Sequence, residues 1–258
     1  MTGTGMGAAV RAEVTKLWTV RSAPIALALV FATSVGIGIL SGWSARMAID
    51  SNNPALRPDF TPEEAGLDGI LYGQIAMIVF GVLLVTSEYG TGMIRLSLIA
   101  VPRRGQFYAA KMAVAALAAA LVAVPTAVLG YLATQVALGP HGVSITTPGV
   151  PGALAGAVLY LTLMCLLAAG LAAAARSAIL PLAVLLSLVL AGSQILSIVS
   201  ATSELAKYLP DRAGISLLSV RVPDDVEALP APAGVAVLVA WSLATVLAGL
   251  LVLRRRDA

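Results

Sequence analysis

The chain has 258 residues, of which 59% are hydrophobic and only 11% charged, with a mean hydropathy of +0.94. Soluble domains carry roughly 25% charged residues, so this composition excludes an ordinary soluble domain and indicates a membrane protein. The single cysteine excludes a disulfide framework, and the net charge of +3 is better explained by membrane topology than by binding of nucleic acid.

Residues 8–21 have the pattern of an amphipathic interfacial helix. Their apolar side chains recur on one helical face, Lys16 lies largely on another, and tryptophan favours the headgroup level of a bilayer. We expect this helix to lie in the membrane plane, with a break before Pro24; the alternative is a continuous extension of the first span. The apolar face consists of Val10, Val14, Leu17 and Trp18.

Six apolar runs are long enough to cross a bilayer, because about 20 residues of helix span about 30 Å of hydrocarbon. They predict an all-α membrane protein with a single transmembrane domain over residues 1–258. The first run is longer than the core of a signal peptide, so we expect it to remain as a span. The third exceeds a straight crossing and is expected to tilt or to kink at Pro125. The runs are 24–43, 68–87, 109–138, 152–175, 177–200 and 232–253.

The basic residues predict that both termini are cytoplasmic. With six crossings, eleven of the 16 Lys and Arg residues fall on the side of the termini, where the loops are also shorter. Because Lys and Arg favour the cytoplasmic side, this distribution sets the orientation of a multi-pass plasma-membrane protein. The five basic residues on the opposite side are Arg46, Arg57, Lys207, Arg212 and Arg221.

Two outer connections are expected to contain short helices. Thr61 suits a helix N-cap, Pro62 the first helical position and Glu64 the capping-box position, which predicts a short helix before the second span. Residues 201–231 alternate apolar and charged groups and are expected to form one or two short helices at the outer leaflet. His141, the only histidine, is interpreted as a solvated loop residue rather than a metal ligand.

The motifs of several enzyme classes are missing. We find no phosphate-binding loop, no zinc-protease helix and no nucleophile elbow, so no bound cofactor and no catalytic residue are predicted. No ionisable residue lies near the centre of a span, which leaves proton-driven transport without a visible driver. Gln74 and Gln194 are expected to form interhelical hydrogen bonds, with a substrate path as the alternative.

Residues 88–108 form a basic insert between the second and third spans. Glycines end the second span, and an apolar stretch with charged flanks then follows, a pattern that can dock in the groove of a soluble protein. We expect Glu88 to pair with Arg95 or with a basic residue of a partner; the alternative is an acid held among headgroups and water. Arg103 and Arg104 could instead contact anionic lipids. The predicted docking residues are Glu88, Gly90, Gly92, Ile94, Arg95, Leu98, Arg103 and Arg104.

Two segments resemble type-2 ATP-binding-cassette (ABC-2) permeases, most closely the small permeases of actinobacteria. They are Glu13-Val14-Thr15-Lys16-Leu17, before the first span, and Ser87-Glu88-Tyr89-Gly90-Thr91-Gly92-Met93-Ile94-Arg95, continuing to Pro102-Arg103-Arg104 and Lys111. The six-span layout extends the resemblance over essentially the whole chain.

The resemblance implies that the insert is a coupling helix for a separate ATPase subunit, which would bind ATP and magnesium. It also implies a second permease half, either another copy or a related chain, and it favours export of a cargo that the residues do not identify. The alternative function is a membrane-embedded interaction or sensor protein that recruits a soluble cytoplasmic partner.

The orientation can be tested with single cysteines. A cysteine at Asn52 should react with an impermeant thiol reagent added outside intact cells, because it lies in an outer connection. A cysteine at Gln106 should react only after the cells are permeabilised. The reverse labelling pattern would show that the termini lie outside.

Overall fold

The computed structural model describes residues 5–51, 60–90, 93, 103–199, 201–220 and 229–255. Throughout these ranges the regular secondary structure is helical. A 3₁₀ turn at Gly139–His141 follows the third long helix, and a π-helical turn at Leu188–Gly192 interrupts the fifth span. The α-helices are α1 Met6–Thr19, α2 Ser22–Asp50, α3 Pro62–Ala65, α4 Asp68–Gly90, α5 Arg104–Leu138, α6 Val150–Ala175, α7 Ile179–Ser187, α8 Ser193–Ile198, α9 Ser203–Ala206, α10 Pro210–Ile215 and α11 Ala231–Arg255.

Six helical stretches are long and apolar enough to cross a membrane, which confirms the predicted all-α class and six spans. They are α2, α3 with α4, α5, α6, α7 with α8, and α11. The first is longer than the predicted 24–43, since α2 runs from Ser22 to Asp50. The third continues as a helix through Pro125. The fifth was expected as one helix over 177–200, but the π-helical turn divides it.

The spans α4 and α6 form the centre of the bundle, whereas α7 with α8 and α11 lie at its edge. More than 60% of the most apolar window is buried in each central span, against 17% in the fifth and sixth spans. Large side chains such as Phe80 of α4 and Tyr160 of α6 are fully buried. The exposed apolar side chains of the spans at the edge form the surface that a bilayer or a second subunit would cover.

Glycines allow the helices to approach closely, as is typical of helix packing in lipid. A Cβ atom on Gly81 of α4 would lie 2.5 Å from the carbonyl oxygen of Cys165 in α6. A Cβ on Gly170 of α6 would lie 2.6 Å from the backbone of Thr245 in α11. These contacts fix α4, α6 and α11 as one packed unit.

The helix α3 begins as predicted, but the capping box does not form. Thr61 is the N-cap residue and Pro62 the first helical residue, yet the Thr61 side chain makes no capping hydrogen bond. Glu64 instead accepts a hydrogen bond from the backbone N–H of Val220, with 3.3 Å between Oε1 and N. His141 also has a partner, because its Nε2 lies 2.8 Å from Oδ1 of Asp50. These side chains link the connections between spans.

The bundle has two distinct ends. We call one of them the terminal end, because it carries α1 and the end of α11. The end of α4 and the start of α5 also lie there. Here Arg104 donates a hydrogen bond to the carbonyl of Leu253, 2.9 Å from Nη1 to O. The far end carries α3, the 3₁₀ turn, α9 and α10.

Gly81→Val should destabilise the bundle by about 1–3 kcal/mol, because the added methyl groups would overlap the backbone of α6. Gly36→Val in α2 is the matched control, since a Cβ at Gly36 meets nothing within 4 Å. Reversible denaturation of both purified proteins in mixed micelles measures the difference. Equal stability of the two variants would contradict the close contact between α4 and α6.

Candidate functional site

Four charged side chains from three helices meet at the terminal end. Glu13 and Lys16 lie on α1, Glu88 lies in the last turn of α4, and Lys111 lies about two turns into α5. The Lys111 ammonium lies 2.5 Å from Glu13 Oε2 and 2.9 Å from Glu88 Oε1. The Lys16 ammonium lies 2.7 Å from Oε1 of each of the two glutamates. These four residues, called the charge cluster below, form a closed ring of ion pairs between α1, α4 and α5.

The charge cluster is buried although it lies near one end of the bundle. The side chains of Glu13 and Lys111 are each 4% exposed and that of Glu88 is 6% exposed, while Lys16 retains 22%. Buried charges are tolerated when they are paired and hydrogen-bonded, and here two positive groups meet two negative ones. Removing any one member would leave an uncompensated charge with little access to water.

An aromatic ring covers both lysines. The ammonium groups of Lys16 and Lys111 lie 5.4 Å and 5.3 Å from the centroid of the Phe107 ring. At this distance a cation is attracted to the ring quadrupole. Because Phe107 precedes Lys111 by one helical turn on α5, one short segment supplies both a cation and its cover.

Lys16 carries a full positive charge at neutral pH. Burial alone would lower the pKa of its ammonium group. The hydrogen bonds to Glu13 and Glu88, together with the charges of these carboxylates, outweigh that effect and raise the pKa above its ordinary value. The attachment of α1 through Lys16 therefore persists over the physiological pH range.

The partner expected for Glu88 differs from the one that the structure provides. We expected Arg95, a basic residue of a partner, or water and headgroups, but Glu88 is buried and bonded to Lys16 and Lys111. Arg95 lies outside the described residues. The contact depends on α1 folding back against α5, a tertiary arrangement that spacing along the chain does not reveal. Available signals were the Glu13–Lys16 pair at helical spacing and a lysine within the third apolar run.

The remaining insert residues are only partly described. Gly90 ends α4, Arg103 precedes α5 and is exposed, and Arg104 ties α5 to α11. Met93 lines a cavity of about 290 Å³ beside the charge cluster, together with Leu17 of α1. The predicted docking residues outside the described ranges are Gly92, Ile94, Arg95 and Leu98.

The apolar residues predicted for the interfacial helix are divided between its exposed side and the bundle. Trp18 is 78% exposed and Val14 is exposed, whereas Leu17 packs partly on the core and Val10 is half-buried. The inner face of α1 carries Glu13 instead. The helix thus presents Trp18 and Val14 on its exposed side, which suits contact with lipid, while Glu13 and Leu17 face the bundle.

Gln74 and Gln194 both form hydrogen bonds within the chain. Gln74 is buried; its Oε1 accepts a bond from the hydroxyl of Tyr160, which links α4 to α6. Gln194 is exposed at the far end, and its Oε1 accepts a bond from Arg212 Nη2 at 2.6 Å. Among the described residues no group of His, Cys, Asp and Glu could hold a metal ion.

Comparison with known proteins identifies one family. A family model described as ABC-2 family transporter protein matches residues 9–201, about three quarters of the chain. The matched range contains the whole charge cluster, most of α1 and the helices α2 to α8, and it ends before α9 begins. No match was found among curated proteins.

Lys111→Met should destabilise the protein by about 3–5 kcal/mol, because it leaves two buried carboxylates to share one lysine. The double variant Lys111→Met with Glu88→Gln should recover part of this loss by restoring the charge balance. Glu204→Gln, which breaks a pair whose acid is 79% exposed, should cost about 0–1 kcal/mol. Denaturation of the purified proteins measures all three. A Lys111→Met variant no less stable than Glu204→Gln would contradict the buried cluster.

Proposed function

The chain belongs to the ABC-2 transporter family and is a membrane permease of an ABC transporter, and we propose that residues 88–108 couple it to a separate ATPase subunit. We further propose that it works as an exporter at the plasma membrane with its terminal end in the cytoplasm. The working unit would contain a second permease half, either another copy or a related chain. ATP and magnesium would bind to the ATPase subunits.

The charge cluster is the observation that supports coupling through the insert. Glu88 is the first residue of the insert and Lys111 follows shortly after its end, and both are bonded to α1. The two ends of the insert are therefore joined to each other directly, through the 2.9 Å ion pair, and to a third helix. A displacement of the insert would move α4, α5 and α1 together rather than bend the loop alone.

Further contacts would carry such a displacement into the bundle. The span α4 is central and packs against α2 and α6, so it cannot shift without its neighbours. Arg104, at the first position of α5, is bonded to the last turn of α11. Arg176, just after α6, donates to the carbonyl of Val252 in the same turn at 3.4 Å. Coupling at one loop would thereby reach the spans on both sides of the bundle.

The sequence supports an external energy source and leaves the cargo open. The chain lacks a recognisable phosphate-binding loop, and its spans lack ionisable groups at their centres, so neither ATP nor a proton gradient has a visible site of action. The mostly apolar spans favour an amphipathic or hydrophobic cargo over a highly charged one. The resemblance of the two motifs to ABC-2 permeases is what favours export.

The coupling role predicts different defects for the insert and for the charge cluster. Ile94→Asp with Leu98→Asp should abolish co-purification of the ATPase subunit from host membranes, because charges would replace the apolar docking residues. Membrane insertion and thermal stability should stay normal. Leu205→Asp, on the 70% exposed Leu205 of α9 at the far end, is the matched control and should leave co-purification unchanged.

A cluster variant should give the complementary result. Glu13→Gln keeps a hydrogen-bond acceptor near Lys111 but removes one charge. The ATPase should still bind, but its rate of ATP hydrolysis in the complex should equal the rate of the ATPase without the permease. Retention of the ATPase by the insert variant would refute the docking role. Recovery of a soluble partner that does not hydrolyse ATP would favour the interaction or sensor function.

A further inference from the structure

The fifth span has two halves that are held in different ways. The half formed by α7 packs against α4 and α6, while α8 contacts chiefly the π-helical turn and α9 among the described residues. The π-helical turn at Leu188–Gly192 separates them. Such turns interrupt the regular hydrogen-bond ladder of a helix and are common at functional positions. The outer half of this span, α8, is therefore joined to the rest of the bundle through a turn that can act as a hinge.

Two adjacent side chains of α10 hold the outer half in place. Asp211 accepts a hydrogen bond from the hydroxyl of Ser193, the first residue of α8. Arg212 donates from Nη2 to Oε1 of Gln194 at 2.6 Å and to the hydroxyl of Ser197 at 3.0 Å. These five residues are called the far-end clasp below. Its bonds reach the start and the end of α8, so they fix both its position and its direction.

The helix α10 is itself anchored to the bundle by close packing. A Cβ on Gly214 would lie 2.0 Å from the ring of Tyr160 in α6. On the other side, a Cβ on Gly234 of α11 would lie 2.5 Å from the carbonyl of Ala213. Because neither glycine leaves room for a side chain, α10 is seated closely between the Tyr160 ring of α6 and the backbone of α11. Of the two helices joined by the clasp, α8 is thus the one free to move.

The bonds of the clasp suit a contact that opens and closes. Gln194 is exposed and Ser197 is half-buried, so water can replace their bonds to Arg212 when the helices separate. Asp211 is only 3% exposed, and burial raises the pKa of its carboxyl against the opposing hydrogen bond from Ser193. The hydrogen bond from Ser193 favours the closed contact, burial of the carboxyl opposes it, and the bonds of Gln194 and Ser197 can be exchanged with solvent.

We propose that Asp211 and Arg212 are positioning residues of the transport cycle, which hold α8 against α10 and release it when the permease opens at its far end. The release lets α8 swing about the π-helical turn while α7 stays packed on α4 and α6. This inference rests on the proposed function, because only a transport cycle requires the far end to open.

The contact between Asp211 and α8 can be tested in the purified permease, without a transport assay. Asp211→Ala should raise the hydrogen-exchange rates of the α8 backbone amides about tenfold in the purified permease, because Ser193 loses its acceptor. Asp211→Asn keeps an acceptor at the same place and should preserve the protection of α8. Glu204→Ala, a change on the same connection, is the control and should change nothing in α8. Unchanged exchange in a folded Asp211→Ala variant would overturn the clasp.

The release is tested by bridging the clasp reversibly. Ser193→Cys with Asp211→Cys, in a Cys165→Ala background, is treated with a short bis-methanethiosulfonate reagent in vesicles that contain the permease–ATPase complex. Bridging should lower ATP turnover at least fivefold without releasing the ATPase, and a reducing agent should restore it. The control pair Glu204→Cys with Lys207→Cys lies within one helical turn and should leave turnover unchanged.

The outcomes separate this inference from the proposed function. Full turnover by the bridged complex would overturn the release of α8, while the coupling role would stand. If the unbridged complex shows no ATPase association, the proposed function fails, and the release step fails with it. The exchange experiment would then still decide whether Asp211 holds α8.

Discussion

Pairing of buried charges decides how the helices of the terminal end are arranged. Two glutamates and Lys111 are nearly removed from water and Lys16 is largely so, and the buried charges are tolerable only beside one another. The helix α1 must therefore fold back against α5, and the insert must leave and re-enter the bundle at adjacent points. The position of the insert, and with it the proposed contact with an ATPase, depends on this arrangement.

Different forces hold the two ends and the middle of the molecule. Ion pairs join the helices at the terminal end, close backbone contacts at glycines join the central spans, and hydrogen bonds hold the outer half of the fifth span. Close packing resists small displacements, whereas hydrogen bonds in contact with water exchange readily. A movement that starts at the insert would pass through the rigid centre and appear where the contacts are weakest.

The sequence predicted the features that depend on local pattern. Apolar run length identified the six spans, and Thr61 with Pro62 located the start of α3. The partners of Glu88 and Glu64 were missed, because both depend on which segments meet after folding. The π-helical turn was missed as well, since the residues 188–192 are ordinary apolar and small ones within a continuous run. Hydropathy reports depth in the membrane, but it does not report which neighbour a side chain will find.

The equal numbers of positive and negative charges in the cluster have an electrical consequence. A charged group that moves through the membrane field exchanges about 2.3 kcal/mol with it per elementary charge and 100 mV. The charge cluster contains two carboxylates and two ammonium groups, so as a unit it carries no net charge. Its displacement along the membrane normal would do almost no electrical work. The membrane voltage would therefore neither drive nor oppose a shift of the charge cluster itself, in energised and in depolarised cells alike.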